Sequence, residues 1–302
     1  MKQIKRYLFP FLCIMISIPS FHYALQNKSD ESSKGKVVAL DYYFNHEIKK
    51  SAEGKEYQFH YIWEDQENSG FSVLGGLIES LGATISKIPQ APTFSELRNV
   101  GIYIIVDPDT PQETASPNNI SDSSIAEIVR WVKAGGVLVL MANDFGNCEF
   151  EHLNRLADSF GIHFNEDSRN KLSGAEFDGG KFDHLPDHPI FKNVKEIFIK
   201  EISTLKLSLS AEPILVDGKD IIMAGTEYGR GFVSAVGDPW LYNEYIDHRR
   251  LPDEFQNYEA GKNLFKWLLD KSSTAKKNQA QPHSSLSHRP PTPEAFEAEK
   301  SL

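Results

Sequence analysis

The stretch Trp131-Val132-Lys133-Ala134-Gly135-Gly136-Val137-Leu138-Val139-Leu140-Met141-Ala142-Asn143-Asp144 decides the fold. Its left part closes a helix predicted over 121–134, with Ile125, Ile128, Val129 and Val132 on one face. Gly135-Gly136 ends that helix, where the chain needs a left-handed residue. Five apolar residues then run unbroken and stop near the polar pair Asn143-Asp144. A short continuous apolar run bounded in this way reads as a strand buried on both faces, as in parallel sheets.

The same pattern recurs on both sides of this stretch. Val37-Val38-Ala39-Leu40 ends at Asp41, with Asn45, His46 and Glu47 just beyond. The run 102–106 ends at Asp107-Pro108-Asp109, and the run 232–236 ends at Gly237-Asp238-Pro239-Trp240, followed by Asn243 and Glu244. Helices are predicted over 70–81, with Ser69 as N-cap, over 150–160 and over 259–270. The second half carries short strands at 197–199, 205–207, 213–216, 221–224 and 232–236, with a Gly-containing hairpin at 227–231. The class is therefore α/β: a doubly wound, mostly parallel sheet with a β-rich antiparallel extension. In such sheets ligands bind beyond the carboxyl ends of the strands, so the polar tips outline one site.

Composition narrows the function. The chain has 302 residues and a formal net charge of −10, without a basic stripe interleaved with aromatics, which excludes a nucleic-acid partner. Lys2, Lys5 and Arg6 precede an apolar stretch over 7–21 that is short for a membrane span and fits a secretory signal. Residues 1–24 are expected to be the signal, 25–35 a linker, 36–271 the folded domain and 272–302 a disordered polar tail. The expected location is periplasmic or secreted, with no membrane span after signal removal. Cys148 would then be the only cysteine, a small buried hydrophobe rather than half of a disulfide.

The element order and several phrases resemble the class I glutamine-amidotransferase-like superfamily. They are the 131–140 stretch, Leu153-Asn154-Arg155-Leu156-Ala157, Asp187-His188-Pro189-Ile190-Phe191 and Tyr228-Gly229-Arg230-Gly231. Within it, Gly237-Asp238-Pro239-Trp240-Leu241-Tyr242-Asn243-Glu244-Tyr245, Asp41 to His46 and Trp63-Glu64-Asp65-Gln66-Glu67-Asn68-Ser69-Gly70 resemble an uncharacterised domain. That domain is found with, or fused to, bacterial unsaturated rhamnogalacturonyl and glucuronyl hydrolases. The resemblance implies a flavodoxin-like, amidotransferase-like fold and a role in degrading pectin or other uronate-containing glycans. It does not imply thiol chemistry: Met141-Ala142-Asn143-Asp144-Phe145-Gly146-Asn147-Cys148 lacks the glycine-flanked nucleophile turn, and Glu149 and Glu151 disfavour a thiolate.

The candidate catalytic residues are Asp41, His46, Asp238 and Glu244, as paired carboxylates and an acid/base on opposed strand tips. The candidate ligand-binding residues are Asn45, Glu47, Trp63, Asp107, Asn143, Asp144, Trp240 and Asn243. Trp240 would stack on a sugar while its neighbours take the hydroxyls; the bland alternative for Asp238 is a capping turn. His60, His152, His163, His184 and His188 share no metal-ligand spacing, so neither a metal nor a cofactor is expected. The leading expectation is a glycan-binding accessory whose ligand is an oligosaccharide or polysaccharide. The alternatives are a hydrolase or lyase using the carboxylates, and a docking domain for a glycoside hydrolase partner. Because the edge looks acidic, either Arg230, Arg249 and Arg250 clamp an anionic sugar or the bound unit is neutral.

Overall fold

The computed structural model describes residues 36–172, 176–246 and 248–280, with side chains as far as 272. The expected signal, the linker to residue 35 and positions 281–302 of the expected tail lie outside the described residues. In chain order the strands are β1 (Val37–Asp41), β2 (Ile48–Lys50), β3 (Glu56–Gln58), β4 (Thr84–Ile88), β5 (Ile102–Val106), β6 (Val137–Met141) and β7 (Ile162–Phe164). They continue as β8 (Lys181–Phe182), β9 (Ile197–Phe198), β10 (Leu205–Leu207), β11 (Glu212–Asp217), β12 (Asp220–Tyr228) and β13 (Gly231–Val236). The α-helices are α1 (Ser72–Ser80), α2 (Phe94–Leu97), α3 (Asp122–Lys133), α4 (Phe150–Asp158), α5 (Asn243–Ile246) and α6 (Asn257–Ala280).

The main sheet runs β4-β1-β5-β6-β13-β12-β10-β7, with β11 paired to β12. From β4 to β13 every pairing is parallel, and the remaining pairings are antiparallel. The parallel part has the flavodoxin-like order, in which the strand sequence reverses direction between β1 and β5. The fold is the expected mixed α/β one, flavodoxin-like and amidotransferase-like, with a parallel core and an antiparallel extension.

The unbroken apolar runs have a simple cause. Val38, Leu40, Ile104, Val106, Val139 and Met141 point into one core, shared with α1 and α6. Ala39, Tyr103, Ile105, Leu138 and Leu140 point into the other, shared with α3 and α4. Side chains alternate between two buried faces, so neither parity can be polar. The Gly135-Gly136 pair serves that packing. Gly135 takes the left-handed φ of 116°, and a Cβ on Gly136 would stand 2.2 Å from the Trp131 ring. Ser121 caps α3, accepting from the Ser124 amide at 3.2 Å.

Two expectations change. The helix predicted over 70–81 begins at Ser72, and Phe71 at its N-cap position makes no side-chain cap. The cap comes from far along the chain: Asn243 Oδ1 accepts the Val73 amide at 3.0 Å. The closing helix also runs on to Ala280, so residues 272–280, expected in the disordered tail, are helical. Among the described residues no helix is long and apolar enough to cross a membrane.

Candidate functional site

A cleft of about 670 Å³ opens over the carboxyl ends of the parallel strands. One wall belongs to the insertion after β1. Its antiparallel β2–β3 hairpin contributes Lys49 and Tyr57, and the following turn contributes His60, Tyr61, Asn68 and Ser69. The opposite side carries Asn143 and Asn147 after β6, Lys200 and Glu201 after β9, and Tyr242 and Glu244 after β13. Glu67 and Glu113 complete the acidic rim. The lining thus mixes amides, phenols, carboxylates and two lysines, and among the described residues no side-chain hydrogen bond joins a serine or cysteine to a histidine there.

The floor is built from strand tips under tension. Asp107 directly follows β5 with φ 41°, a left-handed conformation that costs a non-glycine residue about 1 kcal/mol or more. Its amide donates to Met141 O at 2.8 Å, and its Oδ2 accepts from Asn143 Nδ2 at 3.0 Å. Burial, and next the nearby Glu113 carboxylate, push its acid well above the ordinary range. Asn143 Oδ1 in turn accepts the Asp144 amide at 2.9 Å, and Asp144 Oδ1 accepts from Asn147 at 2.6 Å. Asn45 reaches across from the β1 side and donates to Asp107 O at 2.8 Å. Asp238 is also buried, and desolvation raises its acid well above the usual range despite the Lys200 ammonium nearby.

Over this floor stands an aromatic cluster. The His60 and Tyr61 rings stack at 4.0 Å, Tyr61 meets Tyr242 edge-on at 5.7 Å, and Tyr242 meets Tyr245 at 5.1 Å. His60 and Tyr61 both have positive φ, 65° and 49°. The Tyr61 hydroxyl is driven well above its ordinary pKa by burial and by the charges of Asp107, Asp238, Glu47 and Glu113 around it. The phenol therefore stays protonated. Glu47 is held against His60 Nδ1.

The structure places the sequence-predicted residues in two groups. Asn143 and Glu244 line the cleft, and Asn45, Glu47, Asp107, Asp144 and Asp238 support it from beneath or beside. The other five do structural work. Asp41 is a buried turn cap: Oδ1 accepts from the Phe44 and Tyr43 amides at 2.6 and 3.1 Å, and Oδ2 accepts from the Tyr103 hydroxyl at 2.6 Å. His46 donates its ring Nδ1–H to Tyr42 O at 3.0 Å and its amide to Asp109 Oδ2 at 3.0 Å. Trp63 donates its indole N–H to Ser86 O at 2.8 Å and packs against Phe71. Trp240 is 1% exposed and offers no face to a sugar. Asn243 is fully buried as the cap of α1. Of the arginines, Arg230 lies on the β12–β13 hairpin at the opposite end of the sheet, bonded to Ala134 O, and Arg250 is paired with Glu244 at 3.2 Å.

His60, Tyr61, Glu113, Lys200, Glu201 and Tyr242 line the cleft without being among the sequence-predicted site residues. The insertion was already marked by its polar and aromatic content, which was the available signal for His60 and Tyr61. Lys200-Glu201 had none, because β9 leaves the main sheet and pairs with β8.

Cys148 is buried, and burial, with Asp107 and Glu149 beside it, raises its thiol well above the ordinary value. A thiol held protonated is no nucleophile. Iodoacetamide should leave Cys148 of the native protein unmodified for hours and alkylate it within minutes in urea; fast alkylation of Cys148 in the native protein would revive thiol chemistry.

No family model and no curated protein matches this chain. Solved structures do. The mmIFT52 N-terminal domain superposes with a TM-score of 0.58 at 17% identity, over 77% of this chain and 97% of that domain. The cytoplasmic protein STM1381 from Salmonella typhimurium LT2 superposes with a TM-score of 0.53 at 13% identity, over 77% and 99%. The shared property is the fold. At these identities nothing about ligand or reaction transfers. An exo-β-1,4-mannosidase from Opitutaceae bacterium strain TAV5 overlaps 82% of this chain and 36% of its own at 16% identity, and its TM-score of 0.38 is too low to support an argument.

Proposed function

We propose that this chain is an exported carbohydrate-binding domain, amidotransferase-like in fold and without amidotransferase chemistry. Its role is that of an accessory in degrading uronate-containing polysaccharide, the setting suggested by the sequence resemblance. One observation carries the binding reading. Two aromatic rings stand exposed beside a hydrogen-bonding cleft: Tyr57, 47% exposed, on its hairpin wall, and Phe145, 63% exposed, in the loop between the cleft residues Asn143 and Asn147. Buried phenols, amides and carboxylates supply donors and acceptors for hydroxyls, while exposed rings cover the apolar face of a pyranose. Four glutamates face two lysines in the lining, so a neutral sugar unit fits better than a uronate.

Calorimetry against neutral and uronate oligosaccharides tests this. The expected result is binding of neutral oligosaccharides without turnover. Tyr57→Ala and Phe145→Ala should each weaken it by about 1–2 kcal/mol, roughly five- to thirtyfold. An absence of glycan binding across the panel would leave only the docking reading.

A second reading has its own observation. Asp238 is a buried acid at a strand tip whose carboxyl desolvation holds well above the ordinary range, and a carboxyl kept protonated is the form a general acid needs. If an oligosaccharide is cleaved, and Asp238→Asn abolishes turnover while keeping affinity, the domain is a hydrolase or lyase.

A further inference from the structure

The insertion after β1 is fixed to the domain at two points, and the hairpin between them is not. On the entry side Asn45 Nδ2 donates to Asp107 O at 2.8 Å, and the His46 amide donates to Asp109 Oδ2 at 3.0 Å. On the exit side Tyr61 is buried and its amide donates to Ser69 O at 2.9 Å. Between these points β2 and β3 pair only with each other, in the register Ile48↔Gln58, Lys49↔Tyr57 and Lys50↔Glu56. The turn bonds are internal too: the Ser51 amide donates to Lys55 O and the Gly54 amide to Ser51 O, both at 2.9 Å. Lys50 pairs with Glu56 at 3.4 Å, again within the hairpin. Among the described residues one side chain of 48–58 hydrogen-bonds to the rest of the fold: Gln58 Nε2 lies 3.0 Å from Asn45 O and 3.4 Å from Tyr42 O. Burial supplies no other hold. No residue from 48 to 58 is buried, and Ile48 and Tyr57 stay 45% and 47% exposed.

The base of the hairpin can act as a hinge. Glu47 and His60 pair across it, and the Phe59 amide donates to Glu47 O at 3.2 Å. His60 and Tyr61 then take positive φ, 65° and 49°, two consecutive left-handed residues with no glycine to relieve them. Residues at the ends of elements are the ones that absorb the φ/ψ change of a hinge movement. The hairpin also presents a defined face to the cleft. Lys49 and Tyr57 stand directly opposite each other, so they share one side of the ribbon, and both line the cleft.

We propose that residues 48–58 are a flap: the hairpin turns about Glu47 and His60-Tyr61, is latched by the Gln58 side chain, and lays Lys49 and Tyr57 onto a ligand in the cleft. The identity of that ligand rests on the sugar reading; the mobility of the hairpin does not. Closure covers the half-exposed Tyr57 ring with the apolar face of a sugar and excludes water from the hydrogen bonds beneath it.

Hydrogen exchange of the full chain, read by mass spectrometry of overlapping peptides, tests the flap. In the free protein the amides of 48–58 should exchange about a hundredfold or more faster than those of β5 and β6, at a rate that low urea leaves unchanged, because they open locally. Gln58→Ala should speed exchange in the hairpin by about three- to tenfold, the worth of one hydrogen bond, with a Tm within about 2 °C of the native value. With a bound neutral oligosaccharide the whole hairpin, including its turn over 51–55, should slow by about tenfold or more. Protection in the free protein equal to that of β5 overturns the flap, and so does a Gln58→Ala that leaves hairpin exchange unchanged. Ligand protection that stops short of the 51–55 turn also overturns it; the hairpin is then a fixed wall and the sugar reading stands. If no glycan binds, the sugar reading falls and exchange in the free protein alone decides the flap.

Discussion

Asn243→Ala is expected to lower stability by about 3–5 kcal/mol, several times the usual cost of one hydrogen bond. The amide is fully buried and joins three segments. Its Oδ1 accepts the Val73 amide at 3.0 Å, and its Nδ2 lies 3.0 Å from Asp65 O, 2.8 Å from Glu67 O and 3.0 Å from Ser72 Oγ. Truncation leaves a helix N-terminus uncapped and the Asp65 carbonyl without its partner, while Glu67 O keeps only the Gly70 amide at 3.1 Å. Urea unfolding should show a lower midpoint with an unchanged slope, and thermal unfolding a drop of roughly 6–15 °C for a domain of this size. The loss should reach the cleft, because Glu67, Asn68 and Ser69 on its wall sit on the loop that Asn243 holds. Asn243→Asp separates the contributions: it keeps the acceptor for Val73 and loses both donated bonds, so it should fall between. A variant as stable as the native sequence would show that the loop is held by other contacts.

Asp41→Asn is expected to flatten the dependence of stability on pH. Burial raises the Asp41 acid from 3.8 to about 7 in the folded chain, against the bonds from Tyr103, Phe44 and Tyr43 that pull it down. The folded state therefore holds this proton more tightly than the unfolded chain. Its favourable contribution is complete below 3.8, is lost as pH rises from 3.8 to about 7, and is gone above that. Over that window the loss is on the order of 4 kcal/mol. The asparagine keeps an acceptor for the Phe44 and Tyr43 amides and carries no charge. Urea unfolding at pH 5 and pH 8 should show the native sequence losing stability relative to the variant, with Asp41→Asn the more stable protein at pH 8. The difference between the two proteins isolates Asp41, since Asp238 and Glu113 titrate in the same direction in both. Parallel curves would mean that Asp41 is already ionised at pH 5.

Some of the candidate site was legible because strand tips are local. The runs ending at Asp107, Asn143-Asp144 and Asp238 could be seen to end at one edge once they were read as parallel. The roles were less legible. Trp240 looked like a stacking platform, yet a tryptophan beside a strand tip packs inward if the adjacent helices leave a core position to fill, as α5 and α6 do here. The exposed rings stand on the β3 strand of the inserted hairpin (Tyr57) and on the loop after β6 (Phe145), segments whose direction nothing in their neighbours encodes. His46 looked like an acid/base because of its residue type, and it is a turn histidine with both its backbone amide and ring Nδ1 occupied.

The sequence by itself determined the layering. Strand identity follows from runs that must be apolar on both parities, and helix ends follow from Ser121 and Gly135-Gly136, where the capping atoms lie within a few residues of the groups they satisfy. The tertiary structure alone decided which polar groups are spent on the fold and which are left for a ligand. The cap of α1 comes from Asn243, 170 residues away, while the local Ser69 is not used. Asp41 is saturated by two local amides and a tyrosine from β5, whereas Asp107 on the neighbouring strand keeps one buried oxygen without a partner. Both are aspartates at the end of an apolar run. A carboxylate's bonding depends on which donors the packed neighbours bring within about 3 Å, and that is a property of three-dimensional contact.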